Sequence, residues 1–195
     1  MYGTGLLELA EAAQRALTMN ENSPDESIES PPDRGATSAL RQGLGLVGLG
    51  AITFAAAAIG SAVTATSVDG WYRTLHKPAW NPPGWVFGPV WTILYCLMAI
   101  AAWLVWKKAG RTGARGALSL YFLQLAFNVG WSVLFFGLQS PGLALVEIAC
   151  LWLLIVATIV AFRKHSGAAA WLMAPYLAWT TFAAVLNFTL WRMNA

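Results

Sequence analysis

Five runs of about twenty residues, each almost free of charge, leave this chain few ways to fold. They lie near 44–66, 85–106, 117–138, 143–162 and 170–191. A hydrocarbon core ~30 Å thick is crossed by roughly 20 residues of helix at about 1.5 Å rise, so each run is long enough to span it. Backbone groups in lipid must be satisfied within their own segment, and the alternation of barrel strands is absent, which makes the spans α-helical. The expected fold class is therefore an all-α membrane protein, a five-transmembrane-helix bundle. With 57% hydrophobic and 11% charged residues among 195, the chain has the composition of one such domain.

Charge is distributed unevenly. Residues 1–33 carry a net −6 and residues 34–195 a net +9. The stretch NENSPDESIESPPDRG is acidic, proline-bearing and too poor in apolar side chains to fold alone, so residues 1–42 are expected to form a disordered acidic tail. Leu6, Leu9, Ala13 and Leu17 fall on one face and predict a short helix over 6–17. The membrane domain is expected over 43–195. The start of the chain lacks the basic segment and short apolar core of a signal peptide, which gives the first span the role of an uncleaved insertion signal. Arg34, Arg41, Lys107, Lys108, Arg111, Arg115, Arg163 and Lys164 fall on the amino-terminal side of the membrane, and Arg73, Lys77 and Arg192 on the other. The positive-inside rule then places the amino terminus in the cytoplasm and the carboxyl terminus outside, in a bacterial cytoplasmic membrane.

Between the first two spans the sequence reads WYRTLHKPAWNPPGWVFGPVWTILY. Prolines 78, 82, 83 and 89 fix φ and remove donors, so this segment is a stiff, shaped loop until about Trp85. Trp71, Trp80, Trp85 and Trp91 each present a wide apolar face and one N–H, suited to a membrane interface or to a flat aromatic ligand.

Few polar side chains enter the spans. Gln124, Asn128 and Ser132 recur every four residues in the third, on one helix face that must meet protein or a cavity. Interhelical hydrogen bonding, at about 0.6 to 2 kcal/mol each, is one use for them, and a ligand with polar edges is another. Glu147, the one carboxylate within a span, sits roughly 6 Å below the outer surface; an ion pair with Arg73, Lys77 or Arg192 is the expected arrangement. In the fifth span Pro175, Trp179, Ala183, Leu186 and Asn187 share a face, with Trp191 and Arg192 at the outer boundary. Trp91, Tyr95 and Trp179 are predicted to converge on one outward-opening cavity covered by the 67–84 loop.

Other chemistry is thinly represented. Cys96 and Cys150 are expected to pack as small apolar side chains inside the second and fourth spans, unpaired. His76 and His165 lie in loops, where a solvated imidazole is a simpler reading than a haem ligand. No Ser, His and carboxylate set has a suggestive spacing, no metal-like cluster occurs, and nothing points to nucleic acid.

The loop just quoted, then LQLAFNVGWSVLFF, then PYLAWTTFAAVLN with a terminal WR, resemble in order the signature blocks of the TspO/MBR family, the translocator or tryptophan-rich sensory proteins once called peripheral-type benzodiazepine receptors. The likeness covers about 44–192. It implies binding of tetrapyrroles such as protoporphyrin IX and haem, as ligand rather than obligatory cofactor, and often of benzodiazepine-site ligands, in a pocket within the bundle. Carried onto this sequence, it implies ligand contacts from Tyr72, Trp91, Gln124, Asn128 and Trp179, to which the reading of helix faces and depth adds Tyr95 and Ala183. Trp71, Arg73, Lys77, Trp80, Pro82, Glu147 and Asn187 would support the loop or pocket. At 147 many members carry Asp, and Phe188 in VLNFTLWR stands where the sterol-recognition stretch of animal members has a tyrosine, which leaves sterol as the weakest partner beside membrane lipid.

Three function classes stay open: tetrapyrrole binding linked to transport, sensing or stress regulation; light-dependent porphyrin degradation; and a regulatory or sterol- and lipid-binding role. No internal repeat of the kind common in secondary transporters is visible, so binding ranks above translocation and both above catalysis. Ala56 with Gly60 and Ala126 with Gly130 are small residues four apart, a spacing that serves a homodimer and packing within one subunit equally well.

Overall fold

The computed structural model describes Glu11, Gln14 and Arg15 and residues 34–195. The chain divides into two compact units, Met1–Ser38 and Ala39–Ala195. In the first, Glu11, Gln14 and Arg15 are helical, and the rest of the predicted 6–17 helix and of the acidic tail through Asp33 lies outside the described residues, while 34–42, expected to belong to that tail, is helical. The second unit is the membrane domain.

The helices are α1 (Arg34–Ala65), which enters this unit at Ala39, a single turn α2 (Trp71–Thr74), α3 (Gly84–Gly113), α4 (Arg115–Ser132), α5 (Pro141–Arg163) and α6 (Gly167–Asn194). Five of them are long and apolar enough to cross a membrane, over Ala39–Ala65, Gly84–Gly110, Arg115–Gly137, Pro141–Arg163 and Gly167–Asn194. All five predicted spans are present within a few residues. The first helix begins at Arg34, ahead of its membrane-crossing part Ala39–Ala65.

Helix ends fall where local chemistry puts them. Pro83 precedes α3 with an extended ψ of 141°, and Pro141 opens α5, where its missing N–H removes no helical bond. Ser166 caps α6, its hydroxyl accepting from the Ala169 N–H at 3.3 Å. Gly110 has φ +66°, a left-handed conformation that interrupts α3 at its far end. The spanning part of α4 continues through a π-helical turn, Val133–Gly137.

The helices close into a ring in the order α1, α3, α6, α5, α4. α6 packs on α5 and α3, and α4 on α5. α1 completes the ring: Thr53 hydrogen-bonds Tyr121 of α4 at 2.6 Å, and the Trp103 indole of α3 donates to the Gln42 carbonyl at 3.0 Å. Met98, Val105, Tyr121, Ile155 and Met173 are fully buried in the central core. Leu44, Leu143, Val146 and Leu153 are exposed on the outside. Lipid tails are as apolar as leucine, so outward leucines cost nothing in a bilayer and association rests on close packing and interior hydrogen bonds. Trp85 (77% exposed) and Trp171 (78%) begin α3 and α6 from opposite ends of the bundle, as interfacial anchors do.

Cys96 and Cys150 depart from expectation. Both are exposed on the helix surface, because the inward positions beside them are filled by Tyr95, Met98 and Ala99 on α3 and by Ile148 and Leu151 on α5. Gly60 and Gly130 face partners in the same chain. A side chain beginning at Gly60 would lie 3.3 Å from the Ser132 hydroxyl, and one at Gly130 3.5 Å from the Glu147 carboxylate.

Candidate functional site

The end of the bundle bearing the 66–83 loop gathers most of the aromatic and interior polar side chains. Just after α1, the Ser67 hydroxyl donates to the Phe136 carbonyl at 2.7 Å, fixing the start of the loop to the π turn. That turn brings Phe135 and Phe136 both inward and buried. Trp71 meets Phe135 edge-on at 5.6 Å between centroids, and Tyr72 meets Phe136 at 5.6 Å. The Tyr72 hydroxyl donates to Asn81 Oδ1 at 3.0 Å, bridging the loop across nine residues. Burial pushes the Tyr72 phenol above its ordinary range, the Asn81 hydrogen bond offsetting part of this, so the hydroxyl remains a donor at neutral pH. Trp80 packs edge-on against Phe182 of α6 at 5.9 Å. His76 exchanges two backbone hydrogen bonds with the Asn194 amide, at 2.9 and 3.0 Å, so the last turn of α6 fastens the middle of the loop.

Beneath the loop a chain of hydrogen bonds crosses the interior. The Tyr95 hydroxyl donates to Asn128 Oδ1 at 2.6 Å, and Asn128 Nδ2 donates to the Tyr176 hydroxyl at 3.0 Å. This ties α3, α4 and α6 at one level. Trp91 lies over the chain, 5.5 Å from Tyr95 and 6.2 Å from Tyr176. Nearer the loop, the Trp131 indole donates to Asn187 Oδ1 at 2.9 Å and Asn187 Nδ2 to the Pro141 carbonyl at 2.8 Å. Gln124 lies deeper and fully buried, its Nε2 4.0 Å from the Met98 sulfur and its Oε1 without a partner among the described residues.

The predicted ligand residues divide into two groups. Trp91, Tyr95 and Asn128 meet in the interior, whereas Trp179 belongs to an apolar groove of about 480 Å³ on the outer seam of α3 and α6, lined also by Val90, Ile93, Leu94, Pro175, Ala178 and Phe182. There Trp179 is flanked by Phe87 at 5.9 Å and Phe182 at 5.4 Å. Ala183 is half-buried against the core, Tyr72 belongs to the loop, and Pro82 is half-buried beside Asn81, whose Nδ2 donates to the Pro82 carbonyl at 3.1 Å.

Glu147 overturns the expected ion pair. Both its carboxylate oxygens are buried with no partner among the described residues, and Oε1 is turned toward Gly130 of α4. The loop cations are engaged elsewhere: Arg73 pairs with Asp69, both well exposed, and the Lys77 ammonium lies 4.8 Å over the Tyr72 ring and donates to the Arg73 and Leu75 carbonyls at 3.3 and 3.2 Å. The physical reason is local: short-range contacts within the loop are satisfied first, and Glu147 faces the α4 seam rather than the loop.

Residues 49–192 match the family model described as TspO/MBR family. The chain belongs to the TspO/MBR family. It is 45% identical over 139 residues to the tryptophan-rich protein TspO of Chlorobaculum tepidum, covering 69% of this chain and 86% of that one. It is 44% identical over 126 residues to the human translocator protein, covering 64% and 75% respectively. To the tryptophan-rich sensory protein of Cereibacter sphaeroides it is 43% identical over 145 residues, covering 73% and 90%. In this TspO/MBR domain, sequence reasoning missed Tyr176, Asn81 and Asn194. Tyr176 carried a usable signal: with Thr180 and Asn187 it forms a polar face on α6 like that of Gln124, Asn128 and Ser132 on α4, and all six are buried. Asn81 lies in the loop and Asn194 at the very end of the last span, beyond the 170–191 run read from the sequence, where periodicity says nothing.

Proposed function

We propose that this TspO/MBR membrane protein binds tetrapyrroles such as protoporphyrin IX and haem at the loop end of the bundle, in the service of porphyrin transport, sensing or stress regulation. The observation that carries the reading is the aromatic arrangement on the α3–α6 seam: Trp91, Tyr95 and Tyr176 on its inner side, around the Asn128 amide, and Phe87, Trp179 and Phe182 on its outer side. Flat apolar faces suit a macrocycle, and the central amide and hydroxyls suit its polar atoms. The names of the relatives, translocator and sensory protein, accord with movement or sensing of such a ligand. The basic end is assigned to the cytoplasm and the loop to the outside of a bacterial cytoplasmic membrane.

A titration followed by the absorbance of bound protoporphyrin IX tests the reading. Trp91→Ala and Trp179→Ala should each weaken binding about three- to tenfold, the worth of one aromatic contact, while outward-facing Leu153→Ala leaves it unchanged. Unaltered affinity in both folded tryptophan variants would remove these residues from the site. Loss of the absorbance band under light but not in darkness would turn the assignment toward degradation.

A further inference from the structure

At the end of the bundle opposite the 66–83 loop, Arg41, Lys107, Lys108, Arg115, Arg163 and Lys164 gather with no carboxylate among the described residues of the membrane domain; Asp69 and Glu147 both lie toward the loop end. Within that cluster two cations differ from the rest. The Arg41 guanidinium of α1 lies over the Trp106 ring of α3 at 5.9 Å, and the Lys107 ammonium over the Trp103 ring at 4.9 Å. Trp103 and Trp106 are three residues apart and so share a helix face, and the Trp103 indole hydrogen-bonds the carbonyl of Gln42, next to Arg41. Gly45 allows the close approach: any side chain there would overlap the Trp106 indole. Two cations on neighbouring helices are thus positioned over a pair of indoles.

We propose that Arg41 and Lys107 clamp the phosphate of an anionic phospholipid whose acyl chains lie along the α1–α3 seam. The charge complementarity is direct: a guanidinium fork and an ammonium, neither in an ion pair with a described carboxylate, meet a phosphodiester. Stacking on tryptophan keeps their long side chains at headgroup level, reducing the rotamer freedom lost on binding. Both cations belong to spanning segments, Ala39–Ala65 and Gly84–Gly110, and the neighbouring surface toward the bilayer centre is apolar, with Leu44 on α1 and Ile100 on α3 exposed. A lipid satisfies both features, whereas a soluble phosphate satisfies only the charge. The other candidate occupant is the chain's own acidic segment, residues 1–33 with a net −6.

Native mass spectrometry of the full chain in mixed micelles of phosphatidylglycerol and phosphatidylcholine with matched acyl chains tests the assignment. The full chain should retain phosphatidylglycerol with about a tenfold preference, consistent with two interfacial cations. Arg41→Gln with Lys107→Gln should abolish the preference, while Arg163→Gln with Lys164→Gln, which removes the same charge from exposed positions at the same end, should keep it within about twofold. Inorganic phosphate should not displace the lipid. Equal retention of both lipids, equal loss in both double variants, or displacement by inorganic phosphate would overturn the clamp. A preference that emerges only after residues 1–33 are removed would give the place to the acidic segment instead.

Discussion

Glu147 carries a carboxylate whose two oxygens are buried beside Gly130 without a donor among the described residues, an arrangement that costs stability instead of adding to it. Glu147→Gln keeps the volume and removes the ionisable group, so the thermal midpoint in detergent should stay the same or rise, and ligand release measured by stopped flow should not change. Combined with Arg73→Ala or Lys77→Ala, its effects should be additive, since no contact is shared. A midpoint several degrees lower would reveal a partner and restore the bridging role. At this scale the sequence was readable wherever periodicity applied. Residues four apart share a face, which puts Asn128 with Gln124 and Ser132 on one side of its span, and Tyr95 falls one turn from Trp91, as their contacts show. It is unreadable where pairing depends on which helices are neighbours, as at Glu147, where two of the three expected cations, Arg73 and Lys77, are engaged within the loop.

Helices were legible because each span's composition records its length, and proline or serine marks several starts. The π turn at Val133–Gly137 was not, since VLFFG is an ordinary apolar string and only the hydrogen-bond shift distinguishes it. The loop could be recognised as stiff from its prolines, but its fastening could not: Asn194 lies 118 residues from His76 and carries no sequence pattern. Because the His76 amide donates to Asn194 Oδ1, Asn194→Ala should raise hydrogen exchange at His76 about tenfold, the scale of one hydrogen bond, with global stability little altered. Exchange at the wild-type rate would show that the loop is held by its other contacts, the Ser67 and Tyr72 hydrogen bonds and the aromatic packing, without Asn194.

The ring order α1, α3, α6, α5, α4 is a property of the whole molecule that no single span encodes; it rests on pairs such as Thr53 with Tyr121 and Trp152 with Thr181. Topology is nearer to the sequence, because the cations separate so strongly between the two ends. In a background lacking Cys96 and Cys150, Gly113→Cys should resist membrane-impermeant thiol reagents in intact bacterial cells and Asp69→Cys should react, both positions being exposed. The reverse pattern would invert the assignment. The amide of Asn194 that fastens the loop also has a practical bearing on how the protein is handled. A purification tag fused close behind Asn194 would crowd that amide and disturb the loop whose behaviour is to be measured, so affinity handles are better carried ahead of α1.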